Sequence, residues 1–253
     1  MPRASPDSPG HPAGGGPGRT EGTPCCVILL GPPAAGKGTQ SPRVAAWLGL
    51  PHVATGDMFR LAVRDGTPAG RKANEFQSAG KLVPDDLVFA VVGERLDRED
   101  CRGGLLLDGF PRNLEQARWL DQELESRRQD GRLETRSGQE LLRVIAIELS
   151  DDEVVRRLSG RRTCSGCQAS YHVEFAPPRM EGVCDSCGGR LTQRSDDNPD
   201  AIRTRLGIYE RQTKPLFEHY RSSRRLHVVS GLGEIEEISK RIQAALYRDE
   251  ENS

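Results

Sequence analysis

The apolar run 25–30 (CCVILL) leads directly into the sequence GPPAAGKGTQ at positions 31–40. A short apolar run, a loop of small residues and a helical pattern predict a strand, a turn and the start of a helix. In this arrangement the loop N–H groups and the helix N-terminus face the same anion. The sequence therefore predicts a nucleotide-phosphate site at the end of a buried strand, in preference to a simple glycine-rich turn before an amphipathic helix.

Lys37 is the cation of this phosphate loop, which we define as residues 31–39. We expect its ammonium group to reach the β- and γ-phosphates of a nucleotide as a point charge. Because Gly38 follows the lysine, the hydroxyl group that meets magnesium or phosphate should come from Thr39.

Short, nearly continuous apolar runs alternate with helical patterns along the rest of the chain. We predict strands at 25–30, 52–54, 104–107, 144–149 and 226–229, and helices at 37–48, 57–64, 68–79, 85–98, 113–128, 151–159, 199–221 and 234–247. Strands of this kind are typical of a parallel sheet covered on both faces. The pattern predicts an α/β fold with a five-stranded parallel sheet and right-handed crossovers. The charged stretch 125–143 predicts an extended surface excursion.

Four of the seven cysteines form two C-x-x-C pairs, at Cys164 and Cys167 and at Cys184 and Cys187. Two such pairs sixteen residues apart predict a closed tetrahedral thiolate site, which suits structural zinc. A disulfide pair, a redox dithiol and a zinc ribbon that binds nucleic acid are the alternatives. The loops between the cysteines carry Ser, Gly, Asp and Gln in place of a basic stripe with aromatics, which disfavours nucleic acid. His172 lies near the cluster but should not be a ligand, since four thiolates complete the tetrahedron.

Composition excludes several classes of protein. The chain of 253 residues carries 36 basic and 37 acidic residues, so a general basic excess for nucleic acid or an acidic membrane surface is missing. The chain has no run of 18 apolar residues that would predict a membrane span, and its start lacks the apolar core of a secretory signal. We therefore expect a cytoplasmic protein whose three remaining cysteines, Cys25, Cys26 and Cys101, are small core residues. Residues 1–23 should be a disordered tail, with Asp7 and Glu21 disfavouring a transit peptide.

Several motifs in one order carry a resemblance to a known family. They are the phosphate loop, TGDMFR at 55–60, GKLVPDD at 80–86, DGFPR at 108–112, GRR at 160–162 and RSDD at 194–197. In this order they resemble the adenylate kinases, and the likeness covers about residues 25–248. The long segment between GRR and RSDD resembles the long form of the family, in which a zinc-type lid is stabilised by cysteines.

The resemblance implies transfer of the γ-phosphoryl group of ATP to AMP with magnesium, giving two ADP. It implies a nucleotide-binding kinase domain over 24–253, with a helical AMP-binding segment at 54–83 and a small β-rich zinc lid inserted at 160–197. It also implies a monomer whose partners are ATP and AMP, with no nucleic acid and no membrane. Kinases of another nucleoside monophosphate, or with GTP as donor, stay open as alternatives, as does a non-catalytic nucleotide-binding zinc-ribbon protein.

The resemblance also implies roles for individual residues. The catalytic group is Lys37, Asp108, Arg112, Arg161, Arg194 and Arg205. The ATP-binding group is Ala34, Ala35, Gly36, Lys37, Gly38, Thr39, Arg157, Arg161, Ser170, Tyr171 and Gly233. The AMP-binding group is Thr55, Arg60, Lys81, Leu82, Val83, Gly109, Phe110, Pro111, Arg112, Gln116, Arg194 and Arg205. Asp108 is implied to orient magnesium through water, and Thr55 and Gln116 to read the adenine of AMP.

Three features of the sequence, at Gln116, at Ala34 and in the loop 230–234, bear on these roles. Pyrimidine monophosphate kinases share the DGFPRN motif, but they tend to carry Asn where this chain has Gln116, and they have a short lid; both differences favour AMP. Ala34 stands where the family usually has glycine, and a positive φ there would cost about 1 kcal/mol. The sequence SGLGE at 230–234 matches the loop that binds the donor base only loosely, so the donor nucleotide stays open.

Overall fold

Strand β1 (Cys26–Leu30) lies at the centre of a five-stranded parallel sheet. The computed structural model describes residues 24–79, 81–136, 139–194 and 197–247, with the side chain of Pro199 excepted; the predicted tail 1–23 lies outside these ranges. The other strands of the sheet are β2 (His52–Ala54), β3 (Leu105–Asp108), β4 (Leu142–Glu148) and β8 (Leu226–Ser230), in the spatial order β2-β3-β1-β4-β8. The predicted strands are confirmed to within two residues at their ends.

Helices cover both faces of this sheet. They are α1 (Lys37–Leu48), α2 (Thr55–Arg64), α3 (Pro68–Ser78), α4 (Asp85–Leu96), α5 (Leu114–Gln129), α6 (Asp151–Gly160), α7 (Pro199–Ile208), α8 (Leu216–Ser222) and α9 (Ile235–Tyr247). Alternate residues of β1 enter different cores: Ile28 packs with α4, α5 and α8, whereas Leu29 packs with α1 and α9. Both faces of each central strand are therefore buried, which explains the continuous apolar runs. The three-layer α/β prediction is confirmed.

A second, three-stranded sheet lies between α6 and α7. Strand β5 (Arg161–Cys164) pairs antiparallel with β6 (Ser170–His172) on one side and with β7 (Leu191–Thr192) on the other. Its core is small and consists of Cys164, Cys184 and Leu191, with Ala169 and Tyr171 packed against them. So little buried apolar area makes a cross-link between the strands valuable for stability.

The prediction of one helix over 199–221 is wrong. Helix α7 begins after Asn198, whose side chain caps it, so the predicted start at residue 199 is right, but the helix ends at Ile208. A π-helical turn, Tyr209–Thr213, follows, and α8 begins only after Pro215. Pro215 has no backbone N–H to continue the helical hydrogen bonds, so the ladder is interrupted there although Lys214 keeps helical backbone angles.

The predicted surface excursion over 125–143 is also wrong at both ends. Helix α5 continues to Gln129, and β4 begins at Leu142. Between them Leu133 is buried in the core, and the Glu134 N–H donates to the carbonyl oxygen of Arg102 at 2.7 Å. One buried leucine was enough to anchor a stretch whose charge pattern suggested solvent on all sides.

Among the described residues, no helix has both the length and the apolar character that crossing a membrane requires.

Candidate functional site

The phosphate loop connects the end of β1 to the start of α1. Its first glycine, Gly31, has a φ of 144°, and a Cβ atom there would lie 2.4 Å from the carbonyl oxygen of Ile147 on β4. Lys37 folds back over the loop, where Nζ donates to the carbonyl oxygens of Gly31 and Pro32 at 2.8 Å each. The predicted strand, loop and helix start are confirmed, and the lysine ammonium lies at the mouth of the loop.

Ala34 adopts the left-handed conformation that the sequence raised as a question. Its φ is 58°, a region that costs a residue with a Cβ atom about 1 kcal/mol. Its methyl group packs at the edge of a small cluster formed by Val154, Leu158 and Ile202. This contact with α6 and α7 offsets part of the backbone cost. A glycine at this position would avoid the cost but would leave the space of the methyl group unfilled.

Positive charges converge on Lys37. Desolvation lowers the pKa of its ammonium group from 10.5 to about 8, and Asp108 opposes this shift. The charges of Arg112, Arg205 and Arg161 contribute to the same lowering of the pKa. Four cations within electrostatic reach of one another are unfavourable in an empty pocket and favourable around a polyanion, so the site has the electrostatics of a polyphosphate site.

Asp108 is the carboxylate of this site, and it stands at the carboxyl end of β3. Burial by itself would raise its pKa, but the neighbouring His52, 3.5 Å away, and Lys37 outweigh burial and hold the pKa below its usual value. A Cβ atom on Gly38 would lie 3.9 Å from Oδ2, so the carboxylate faces the start of α1. An ionised carboxylate here, with Thr39 on the adjoining turn, offers the oxygen ligands that magnesium prefers.

Arg112 is held at its backbone by two other elements. The hydroxyl of Thr213, in the π-helical turn, donates to the Arg112 carbonyl oxygen at 2.8 Å. The Arg112 N–H donates to Oε1 of Gln116 at 2.7 Å. Its own Nε donates to the carbonyl oxygen of Gly109 at 2.7 Å. The guanidinium group is therefore presented from a firmly held loop between β3 and α5.

The residues predicted for the acceptor lie around the same strand end. Thr55 is buried, and its hydroxyl donates to the carbonyl oxygen of Gly109 at 3.0 Å. Arg60 pairs with Asp57, while its buried Nε has no hydrogen-bond partner among the described residues. Val83 is buried. The remaining predicted acceptor residues, Lys81, Leu82, Phe110 and Pro111, follow on the chain segments just before α4 and between β3 and α5.

Two predicted arginines share one buried carboxylate. Arg161, at the start of β5, donates from Nε to Oδ2 of Asp197 at 2.8 Å and pairs with Oδ1 through Nη2. Arg205 on α7 approaches Oδ1 at 3.3 Å. Arg203, two residues earlier on the same helix, instead has 74% of its side chain exposed. Arg194 donates to the hydroxyl of Thr163 at 3.0 Å.

The residues predicted for the donor base meet at the end of β8. Arg157 on α6 donates from Nη2 to the carbonyl oxygen of Gly231 at 3.0 Å, and Glu153 holds its Nε at 2.7 Å. Gly233, in the same loop after β8, has a φ of 105°. Ser170 is exposed on β6. The loop 230–234 and Arg157 are therefore neighbours, although the sequence match of this loop was loose.

The four C-x-x-C cysteines come together as predicted. Their Sγ atoms all lie within 4.8 Å of one another, with Cys164 and Cys187 at 3.4 Å and Cys167 and Cys184 at 3.5 Å. A tetrahedral zinc with bonds of about 2.3 Å would hold its sulfur atoms about 3.8 Å apart. These distances fit that geometry, and they are longer than the bond of about 2.05 Å in a disulfide. All four residues are free thiols.

The surroundings of the cysteines agree with a metal site. The Tyr171 hydroxyl lies 3.4 Å from Sγ of Cys184 and lowers the pKa of that thiol to about 6. Nδ1 of His172 instead accepts hydrogen bonds from the backbone N–H groups of Glu174 and Phe175, so the prediction that it is not a ligand agrees with the cluster. Tyr171, which the resemblance placed near ATP, contacts the cysteines.

Four polar residues of the site had no predicted role. Asp197 lies in the RSDD motif at 194–197, and Asp85 lies in the GKLVPDD motif at 80–86. The acidic Asp197, in a motif that begins with an arginine, could have been predicted as a counter-charge from the sequence. Thr213 gave no signal, because its contact with Arg112 joins positions 101 residues apart. His52 was predicted only as part of a strand, yet it flanks Asp108.

Comparison with known proteins identifies the family of the chain. A sequence model of the family described as Adenylate kinase matches residues 29–225. A protein named Adenylate kinase from Carboxydothermus hydrogenoformans is 46% identical over 222 residues, which cover 88% of this chain and 99% of the relative. Proteins of the same name from Trichlorobacter lovleyi and Streptomyces coelicolor are 47% and 42% identical and cover 87% and 88% of this chain, and 98% and 99% of their own. The chain belongs to the adenylate kinase family.

Proposed function

We propose that the chain catalyses reversible phosphoryl transfer from ATP to AMP, giving two ADP. The observation that carries this proposal is the convergence of Arg112, Arg161 and Arg205 on Lys37, beside the ionised Asp108. Phosphoryl transfer needs little covalent chemistry from the protein; it needs positioning and neutralisation of the charge on the transferring group. A cluster of cations at the end of a parallel sheet supplies both. The relatives named Adenylate kinase, which match the chain over most of its length, support the same activity.

In this proposal the donor occupies the side of β4 and β8. The backbone N–H groups of Ala34, Ala35, Gly36 and Gly38 face the ATP phosphates, and Lys37 reaches the transferring group. The base lies near Arg157 and the loop that contains Gly233, which the hydrogen bond from Arg157 to Gly231 brings together. Ser170 and Tyr171 complete the donor side from β6.

The acceptor occupies the side of α2 and β3. Arg60 and Arg112 bind the AMP phosphate, which would give the unpartnered Nε of Arg60 an acceptor. Thr55 and Gln116 contact the adenine. Gly109, Phe110 and Pro111 line the phosphate side, and Lys81, Leu82 and Val83 provide backbone contacts. Planar guanidinium groups suit this task because they bind phosphate oxygens in pairs.

Arg161, Arg194 and Arg205 close on the transferring phosphoryl group. Arg161 and Arg194 come from β5 and from the chain after β7, at the base of the segment 160–197 and not at its tip, and Arg205 comes from α7 just beyond it. We propose that this segment is a lid, that 54–83 is the AMP-binding segment and that both move relative to the rest of the domain 24–253.

We propose zinc as the metal of the four-cysteine cluster and magnesium as the companion of ATP. Zinc fits because four thiolates at these separations make a closed site without a position for water, which is structural in character. Magnesium, held near Asp108 and Thr39, would supply positive charge to the phosphates. We also propose that the protein acts as a cytoplasmic monomer with ATP and AMP as its partners, without nucleic acid or membrane.

The test is an assay of ADP formation from ATP with each nucleoside monophosphate in turn. AMP should be the preferred acceptor, and Lys37→Met should lower kcat by about a hundredfold or more, because it removes a charge contact to the transferring group. Lys240→Met, at an exposed position on α9, is the matched control and should leave kcat unchanged. A wild-type protein that leaves AMP unphosphorylated, or a Lys37→Met variant within threefold of wild type, would contradict the proposal.

A further inference from the structure

We propose that Asp85 is a positioning residue that fixes the orientation of the Gln116 side-chain amide and thereby makes the acceptor site select adenine over a 6-oxopurine. This inference rests on the proposed function and deepens it by assigning the choice of base to a residue outside the predicted site.

The amide of Gln116 is buried and already has two partners. The residue is 2% exposed. Its Oε1 accepts the backbone N–H of Arg112 at 2.7 Å, and its Nε2 donates to Oδ1 of Asp85 at 2.6 Å. One partner can only donate and the other, as an ionised carboxylate, can only accept. The positions of oxygen and nitrogen in this amide therefore follow from its neighbours.

Turning the amide over would oppose both partners. Nε2 would then face the Arg112 N–H, and Oε1 would face the carboxylate of Asp85. A donor would then face a donor, and an acceptor would face an acceptor, in a buried place. Each of these groups would lose its hydrogen bond, which is costly for polar groups without access to water. Arg112 presents a backbone group that substitution of its side chain does not remove, so Asp85 is the partner whose chemistry can be changed.

Asp85 is itself held in place. It is the first residue of α4, where the helix N-terminus favours a negative charge. Nδ2 of Asn113 donates to both of its carboxylate oxygens, at 3.1 and 3.0 Å. Oδ1 of the same asparagine accepts the backbone N–H of Gln116 at 2.8 Å and caps α5. The carboxylate and the helix that carries Gln116 are thus tied together through one residue.

A fixed amide reads one purine edge and rejects the other. The second N–H of Nε2 and the second lone pair of Oε1 are the groups left for a base. Adenine offers an acceptor at N1 beside a donor at the 6-amino group, which complements that pair. A 6-oxopurine offers a donor at N1 beside an acceptor at O6, so it could pair only with the turned amide that Asp85 opposes. Sites built on such polar complementarity discriminate strongly, because the wrong ligand leaves buried groups unpaired.

The experiment compares AMP with inosine monophosphate, which has the 6-oxopurine edge but lacks the 2-amino group that guanine would add. The specificity constants kcat/KM for the two acceptors are measured on the same preparation, with ATP saturating. Their ratio does not depend on the fraction of folded enzyme, so it remains informative for a variant that folds poorly. Asp85→Asn is the main variant, because asparagine presents both a donor and an acceptor and so tolerates either orientation of Gln116.

Asp85→Asn should lower the AMP to inosine monophosphate ratio by about tenfold or more. Asp86→Asn is the matched control: Asp86 adjoins Asp85 on α4, but its side chain is 76% exposed, and its ratio should equal that of wild type. Asp85→Glu keeps a carboxylate and should keep more of the discrimination than Asp85→Asn.

An unchanged ratio in Asp85→Asn, with AMP still the wild-type acceptor, overturns the inference about Asp85 alone. A ratio in Asp85→Glu relaxed as far as in Asp85→Asn also overturns it, since packing and not acceptor chemistry would then be responsible. A wild-type protein that phosphorylates neither acceptor overturns the proposed function and this inference with it.

Discussion

Arg161 and Asp197 form an ion pair that joins the two ends of the segment 160–197. Nε of Arg161 donates to Oδ2 of Asp197 at 2.8 Å, and the carboxylate is fully buried. Arg161 opens β5 directly after α6, and Asp197 directly precedes the cap of α7, so the pair lies where the segment leaves and rejoins the rest of the chain. Asp197 also approaches Arg205. Its carboxylate therefore balances the charges of Arg161 and Arg205, the two arginines that we propose to bind phosphate.

Replacing Asp197 by Asn should destabilise the protein, because it leaves Arg161 and Arg205 without their buried counter-charge. We expect a loss of about 1–3 kcal/mol in the free energy of unfolding, measured by urea denaturation. Asp200→Asn is the control, since Asp200 is 89% exposed and pairs with the exposed Arg203 in the same helix. Equal losses in the two variants would contradict a special role for Asp197.

Lys37 should make stability depend on pH in the alkaline range. Burial holds its pKa at about 8, below the ordinary value of 10.5, so the unfolded chain binds the proton more tightly than the folded one. The penalty is complete below about pH 8 and is relieved as pH rises, so the free energy of unfolding should increase between about pH 8 and 10.5. The pKa difference corresponds to an increase in the free energy of unfolding of about 3 kcal/mol. The measured increase should be smaller, because the Lys37 side chain is only half-buried and water screens its charge.

The measurement is urea unfolding of wild type and Lys37→Met across this range without nucleotide. The other titrating groups are common to both proteins, so the difference between them isolates Lys37 and should shift in favour of wild type as pH rises. Lys240→Met should show a difference that is flat with pH, and a flat difference for Lys37→Met would refute the prediction.

Gln116→Ala should raise KM for AMP by about tenfold or more while changing KM for ATP much less. The side chain lies on the acceptor side, where it also accepts the Arg112 N–H, and removing it takes away that support together with the contact proposed for adenine. Initial rates with each nucleotide varied in turn measure both constants. Gln129→Ala, at an exposed position at the end of the same helix, should change neither. Equal effects on the two constants would remove Gln116 from the adenine site.

Cys184→Ser should abolish metal binding and loosen the segment 160–197 while the phosphate loop stays folded. Metal ligation supplies folding free energy to a small sheet whose core holds only Cys164, Cys184 and Leu191, with two neighbours packed against them. Elemental analysis should find about one zinc per chain in wild type and nearly none in the variant, and limited proteolysis should cut first within this segment. Cys101→Ala, outside the cluster, should retain its zinc. Reduced wild-type protein without bound metal would contradict the prediction.

Thr213→Val should lower kcat/KM for AMP about threefold to tenfold, because the Arg112 carbonyl oxygen loses its hydrogen bond and the loop that presents the guanidinium loosens. Thr213→Ser keeps the hydroxyl and should restore the activity, which a purely packing role would not explain. Thr204→Val removes a hydroxyl that donates to the Asp200 carbonyl oxygen within α7, and it serves as the control. A serine variant as impaired as the valine variant would argue against the hydrogen bond.

Local sequence was sufficient wherever the physical signal is local. The strand before the phosphate loop is apolar on both faces because the sheet is covered twice, and this shows in every residue from Cys26 to Leu30. The cysteine spacing indicated a metal site because ligand geometry depends on a few residues within each pair. Asn198 and Pro199 marked the start of α7 for the same reason, since a helix cap is made by adjacent residues.

Contacts between distant positions were decided by the tertiary structure. Thr213, in the π-helical turn after Ile208, reaches the carbonyl group of Arg112 on a distant loop, and Leu133 is buried in the core although its neighbours in sequence are charged. Asp85 meets Gln116 across 31 positions because α4 and α5 converge at the end of β3. Sequence determined which elements form and which residue types could bind phosphate and metal, because propensity and spacing act over a few residues. Only the packed chain decided which donor faces which acceptor, because that pairing depends on the relative placement of whole helices and strands.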